Sequence, residues 1–204
     1  MSATELTTLL LFCTAMSFSP GPNTTLSTAL AANLGLRRAL RFCFAVPTGW
    51  TLLMLACGLG LGALVMGMPA LRWSVKVLGV VYMLWLAWKL AGAAQLSDVD
   101  ASRLNVTFLQ GVGLQFLNIK AWMLALTLTA GWVINASGQP SANPGERLAI
   151  ICAVMVFFAF ISNFTYAVAG SLLRQWLTQG RRLVCFNRVL AAVLVATALW
   201  MLTV

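Results

Sequence analysis

The sequence predicts an all-α membrane protein of six transmembrane helices, arranged as two inverted three-helix repeats. The first helix is expected to be broken at residues 19–23 and the fourth at residues 118–120. Three observations point there. Of the 204 residues, 61% are hydrophobic and only 8% charged, whereas a soluble domain is nearer half apolar and a quarter charged. The apolar residues gather into six runs, about 4–30, 39–67, 71–90, 108–134, 148–172 and 183–203. A helix crosses the hydrocarbon with about 20 residues, so the length holds about six spans and no sizeable extramembrane domain. Finally, helix-breaking or polar residues interrupt the first and fourth runs.

The first run contains Ser19-Pro20-Gly21-Pro22-Asn23. Each proline lacks an N–H and crowds the carbonyl four residues back, and each disfavours helix in the residue before it. The expectation is helix, break, helix, with Pro22 and Asn23 opening the second half and free N–H groups facing the gap. At membrane depth such irregular backbone survives only when buried in protein or lining a cavity. In the second run, Pro47, Thr48 and Gly49 read as a kink with close packing, and Gly58, Gly60 and Gly62 as tight helix contact. Met66-Gly67-Met68-Pro69 is a tight turn into the third run. Residues 94–105, with Asp98, Asp100 and Arg103, join the third run to the fourth, which holds the interruption Gln115-Phe116-Leu117-Asn118-Ile119-Lys120-Ala121-Trp122. Residues 135–146, rich in Gly, Ser, Pro and Asn, read as a solvated loop. The fifth run carries a polar patch, Ser162, Asn163 and Tyr166, and the basic linker 174–182 precedes the sixth.

Thirteen Lys and Arg against four Asp and Glu give a net charge of +9. These cations lie mostly between apolar runs, as in the cytoplasmic loops of membrane proteins, which argues against a nucleic-acid partner. One side collects Arg37, Arg38, Arg41, Lys89, Arg103, Arg174, Arg181, Arg182 and Arg188; the other has Arg72, Lys76 and Arg147. The richer side is expected to be cytoplasmic, with both termini outside, in the periplasm of a Gram-negative cell. The N-terminus lacks the basic n-region of a signal peptide and reads as a retained first span. Cys13, Cys43, Cys57, Cys152 and Cys185 form no Cys-x-x-Cys pair, and histidine is absent. The cysteines read as small apolar residues rather than a thiol relay or zinc site. The eight tryptophans, several near run ends, fit interfacial anchoring.

The chain reads as a single domain whose halves, residues 1–93 and 105–204, hold three spans each. With an odd number per half, equivalent spans insert with opposite orientation, the arrangement of many secondary transporters. A break in span one then predicts a counterpart in span four.

Two stretches, Ser-Pro-Gly-Pro-Asn at 19–23 and Phe-Leu-Asn-Ile-Lys-Ala-Trp at 116–122, resemble the signature motifs of the lysine exporter and homoserine-threonine exporter family (LysE/RhtB). The Gly35-Leu-Arg-Arg-Ala39 loop, the third run from Lys76 to Lys89, and Asn187-Arg188 are similar to further family stretches, so the resemblance covers nearly the whole chain. One position departs: Ile119 stands where the family usually has proline, which predicts a shallower second break. The resemblance implies an exporter of amino acids or related zwitterions in a bacterial inner membrane, driven by the proton motive force.

Such a substrate needs a positive site for its carboxylate and acceptors for its ammonium. Pro20, Gly21, Pro22, Asn23, Asn118, Lys120 and Asn163 are the candidate substrate-binding residues. The half-helix at Pro22 offers free N–H groups and the positive end of a helix dipole. A charge at the bilayer centre costs at least about 2.5–3.5 kcal/mol, so Lys120 is either a site residue facing a wet cavity or a side chain snorkelling to the interface. Asn23 and Asn118 are either cavity-lining or helix-capping. Ser162, Asn163 and Tyr166 are also natural interhelical hydrogen-bond partners. Glu5, Asp98, Asp100 and Glu146 all lie at run ends or in loops. A proton would therefore travel on Lys120, on the substrate itself, or on Glu5. Without buried carboxylates, neutral amino acids are favoured over cationic ones. No cofactor is expected; the partners are the substrate, protons and lipid, with room for a homo-oligomer. A membrane enzyme lacks its residues here, and an ion or metal exporter on a related fold is the alternative.

Overall fold

The computed structural model describes residues 1–93, 104, 106–134, 138–177 and 181–203. Most of the expected 94–105 linker, with Asp98, Asp100 and Arg103, lies outside the described residues, as do 135–137 and 178–180. The described chain is helical: α1 (Ala3–Phe18), α2 (Pro22–Leu34), α3 (Leu36–Gly58), α4 (Leu61–Gly67), α5 (Pro69–Ala91), α6 (Phe108–Leu117), α7 (Ile119–Leu128) with a π-helical turn (Thr129–Val133), α8 (Pro144–Leu177) and α9 (Arg182–Thr203). Helices α3, α5, α8 and α9 are each long and apolar enough to cross a bilayer. The bent pair formed by α6 and the stretch from Ile119 to Val133 makes a fifth candidate span, and α1 is a shorter apolar helix.

The helix ends follow from local chemistry. Ser2 and Glu5 form a reciprocal capping box at α1, and Thr107 and Gln110 form another at α6. Prolines open α2, α5 and α8 at positions where a missing N–H costs nothing. Gly35, at φ +85°, makes the corner between α2 and α3. Two expected boundaries shift. The run 39–67 is not one helix: α3 ends at Gly58, and Gly60, at φ +104°, turns the chain into the short α4. Gly60 therefore serves conformation and not contact, since a β-carbon there would touch nothing. Gly58 and Gly62 do serve contact, against Leu148 and Leu126. The fifth helix also outruns the expected 148–172, because Pro144 starts it early and Arg174 is carried on its last turn rather than in a linker.

At the centre lies α2, with ten of its thirteen residues buried. Its Ala, Ser and Thr residues admit close neighbours: Gly170 of α8 passes so near Thr28 that a β-carbon would strike the Thr28 carbonyl. Helix α8 packs on α1, α2 and α3, and α5 packs on α9. One apolar core joins α2, α3, α5, α6 and α9; a second joins α1, α3, α7 and α8. Large apolar side chains such as Leu11, Val81, Phe157 and Leu172 face outward, as a lipid-contacting surface requires. The tryptophans divide. Trp88 is exposed, but Trp50 and Trp122 are buried in the second core, which corrects their reading as interfacial anchors. Cys13, Cys43 and Cys57 are buried, Cys152 is half-buried, and Cys185 is exposed.

Candidate functional site: two helix breaks around one cavity

The first break spans residues 19–21. Backbone Ser19 is extended, and so is Gly21, which caps α2. The Gly21 N–H donates to Thr24 Oγ1 at 3.0 Å. The carbonyls freed at the end of α1 are taken by distant side chains. Tyr166 Oη donates to the Phe18 carbonyl at 3.0 Å, and Lys120 Nζ donates to the Ser19 carbonyl at 3.0 Å and to Ser19 Oγ at 2.6 Å. A cation at the C-terminal end of a half-helix meets the negative end of its dipole.

The second break is a single residue, Asn118 (φ −96°, ψ 103°), yet α6 and the following helix meet at 68°. The shallower break expected from Ile119 is thus a sharp one. Side chains do the work that proline does elsewhere. The Asn118 side chain accepts the Lys120 N–H at 3.1 Å and caps α7. Trp122 Nε1 donates to the orphaned Phe116 carbonyl at 2.8 Å. Gly79 of α5 lets the Leu117 carbonyl approach its backbone, where any β-carbon would collide.

The two breaks meet. Besides the Lys120–Ser19 bonds, Asn23 and Gln115 exchange amide hydrogen bonds: Asn23 Nδ2 to Gln115 Oε1 at 2.9 Å and Gln115 Nε2 to Asn23 Oδ1 at 3.2 Å. Between the breaks lies a cavity of about 60 Å³, where a water needs about 10–15 Å³ on the same measure. Gly21, Pro22, Asn23, Asn118, Lys120 and Asn163 all line it. Pro20, the remaining candidate, does not line it and is exposed. Lys120 turns into the protein to reach Ser19 instead of snorkelling away. Asn118 both caps a helix and lines the cavity. Asn163 accepts from Ser27 Oγ at 2.8 Å, so it too has a structural bond as well as a place on the wall. Gly21 keeps clear of the Lys120 side chain, whose Cδ and Nζ would lie 3.4 Å from an added β-carbon.

Sequence reasoning placed Gln115 in the interruption of the fourth run and Trp50 among the interfacial tryptophans, and gave the Ser17 side chain no role. Gln115 is fully buried, and its signal was a lone amide three residues before Asn118 in an apolar run. Ser17 and Trp50 also line the cavity.

Far from the cavity, Arg147 at the start of α8 pairs with Glu5 of α1 at 2.9 Å, and the Trp132 indole donates to the Glu5 carbonyl at 3.2 Å. Glu5 therefore sits at an end of the helix bundle, tied to α8 and the π-helical turn.

Four apolar helices long enough to span a bilayer, a fifth candidate span bent at Asn118, and the break between α1 and α2 facing that bend across one cavity define a multi-pass helical membrane protein with a built internal site. The model of the LysE type translocators matches residues 14–203, and the chain belongs to that family. It is similar to the cysteine/O-acetylserine efflux protein of Klebsiella pneumoniae, at 29% identity over 97% of both chains. The proteins of the same name from Salmonella typhimurium, at 30% over 89% of both, and Escherichia coli K12, at 29% over 97% of both, are also similar. No solved structure matches the chain.

Proposed function

We propose that this protein exports small neutral or zwitterionic amino acids across the bacterial inner membrane by alternating access, driven by the proton motive force. One observation carries the reading: Lys120 of one break reaches Ser19 of the other beside a cavity that both line. The cavity has the polarity of a zwitterion. After Pro22, Asn23 and Thr24 open α2 with amide N–H groups that have no helical carbonyl to meet, and these, with Lys120, suit a carboxylate. When Lys120 turns to that carboxylate it releases the Ser19 carbonyl, which suits an ammonium. No carboxylate lines the cavity among the described residues, which favours a substrate without a cationic side chain. Cysteine and O-acetylserine, the compounds in the names of the similar proteins, are of that kind.

Six spans as two inverted repeats fit the same reading. In such a fold the two repeats pack against each other and the site lies at their interface. The packing of α3 on α8 and of α5 on α9 has that pattern, as do the breaks between α1 and α2 and between α6 and α7. The repeats would be residues 1–93 and 105–204, with the arginine-rich ends in the cytoplasm and both termini outside.

The test is counterflow in proteoliposomes loaded with unlabelled amino acid, which needs no energy source. Wild-type protein accumulates labelled O-acetylserine or cysteine. Lys120→Met, at equal reconstituted protein, loses at least about a hundredfold, the equivalent of the charge's cost of burial. Full activity in Lys120→Met removes the site. Accumulation into inside-out vesicles that an uncoupler fails to abolish removes the proton coupling.

A further inference from the structure

We propose that Trp50 and Ser17 are the specificity-determining residues of this cavity, and that they take the oxygen of a polar, uncharged substrate side chain. This rests on the exporter reading above. The polar groups that the sequence picks out are already engaged. Asn23 spends its amide on Gln115, Asn163 accepts from Ser27 and donates to the Ala159 carbonyl, Asn118 caps α7, and Lys120 holds Ser19. Trp50 and Ser17 are different. Both line the cavity, and the Trp50 indole N–H and the Ser17 hydroxyl are buried polar atoms without a hydrogen-bond partner. Trp50 itself is only 3% exposed.

A buried donor left unpaired is costly, and native proteins rarely leave one without a reason. A phenylalanine would fill the same apolar core without that cost. The chemistry of the pair narrows what completes it. An indole N–H only donates, so it needs an acceptor, and a serine hydroxyl donates or accepts. The two come from different helices, α3 and α1, and meet the same space. A second carboxylate would bring an uncompensated charge into a site with one ammonium. An ester, hydroxyl or amide oxygen on the substrate side chain satisfies both groups with no added charge. An apolar side chain leaves both unpaired, and a site built to hydrogen-bond rejects such an analogue strongly.

The experiment compares counterflow of O-acetyl-L-serine with that of L-norleucine, which has a chain of similar length and no side-chain oxygen. Wild-type protein favours O-acetylserine. Trp50→Phe lowers the O-acetylserine to norleucine ratio of kcat/KM about tenfold, and Ser17→Ala lowers it less. An unchanged ratio in both variants overturns the proposal, as does equal loss of both compounds in a folded Trp50→Phe protein. Should Trp50→Phe fail to give monodisperse protein, the ratio in Ser17→Ala decides alone, a fall supporting and no change overturning. Wild-type protein that moves neither compound sinks the exporter reading and this proposal with it. A loss of transport in Lys120→Met beside an unmoved ratio in Trp50→Phe sinks this proposal only.

Discussion

The two interruptions reach one outcome by different means. At residues 20–22 the main chain itself refuses the helix: proline, glycine and proline remove donors and fix dihedrals, and distant side chains then tidy the exposed carbonyls. At Asn118 the main chain would tolerate a helix. It bends because a side-chain cap, an indole on the Phe116 carbonyl and a glycine on a neighbouring helix make the bend cheaper than the straight rod. The first is stiff by covalent structure, whereas the second depends on three weak contacts that can be removed singly. If one half of the molecule moves against the other, the second break is the one with adjustable parts.

Four tests would break or sharpen that contrast. The largest effect is expected at Gly79→Ala, whose β-carbon must displace the Leu117 carbonyl. Overpacking of this kind costs about 1–3 kcal/mol or more, so a lower melting temperature in detergent and a poor yield of monodisperse protein should follow. Next is Asn118→Ala. Losing the cap costs about 1 kcal/mol, whereas deleting the Thr24 hydroxyl at the first break leaves its prolines in place to hold the break. Third is the Asn23–Gln115 bridge between the breaks. A double-mutant cycle with Asn23→Leu and Gln115→Leu should give a coupling of about 0.6–1.7 kcal/mol in thermal unfolding, the range for interhelical hydrogen bonds in membranes. Additive single effects would show that the bridge is incidental. The smallest is Ile119→Pro, which makes the second break resemble the first. Residue 119 is the first of its helix, and Asn118 is already extended, so proline fits both requirements. Lost packing of Ile119 against Val80, Met83 and Met201 offsets the gain, and transport should stay within about twofold of wild type.

The contrast also explains what was legible in the sequence. Proline and glycine act through their own backbone, so the first break and the start of α2 at Pro22 could be read directly. Asn118 and Lys120 stood out as polar residues in an apolar run, but the sharpness of their break depends on Gly79, which is far away in sequence. Pairings such as Lys120 with Ser19 and Asn23 with Gln115 join residues about a hundred positions apart, and no local pattern encodes them. Trp50 was invisible for another reason. A tryptophan in an apolar run looks the same whether it anchors at an interface or is buried beside a cavity, and only packing decides. Gly60 misled in the same way, because its neighbours suggested contact while its dihedral serves a turn.

Helix α8 has 34 residues, about 51 Å at 1.5 Å per residue, against a hydrocarbon layer of about 30 Å. It must lean steeply or stand proud of the bilayer. Along its length it grips Glu5 near one tip through Arg147, forms part of the cavity wall through Ser162 and Asn163, and holds the end of α1 through Tyr166. An uninterrupted α-helix has no joint along its length, so tilting it would swing its two tips in opposite directions. Spin labels placed at Gly145 and Gln175 would register that see-saw as distance changes of opposite sign to a fixed point on α9.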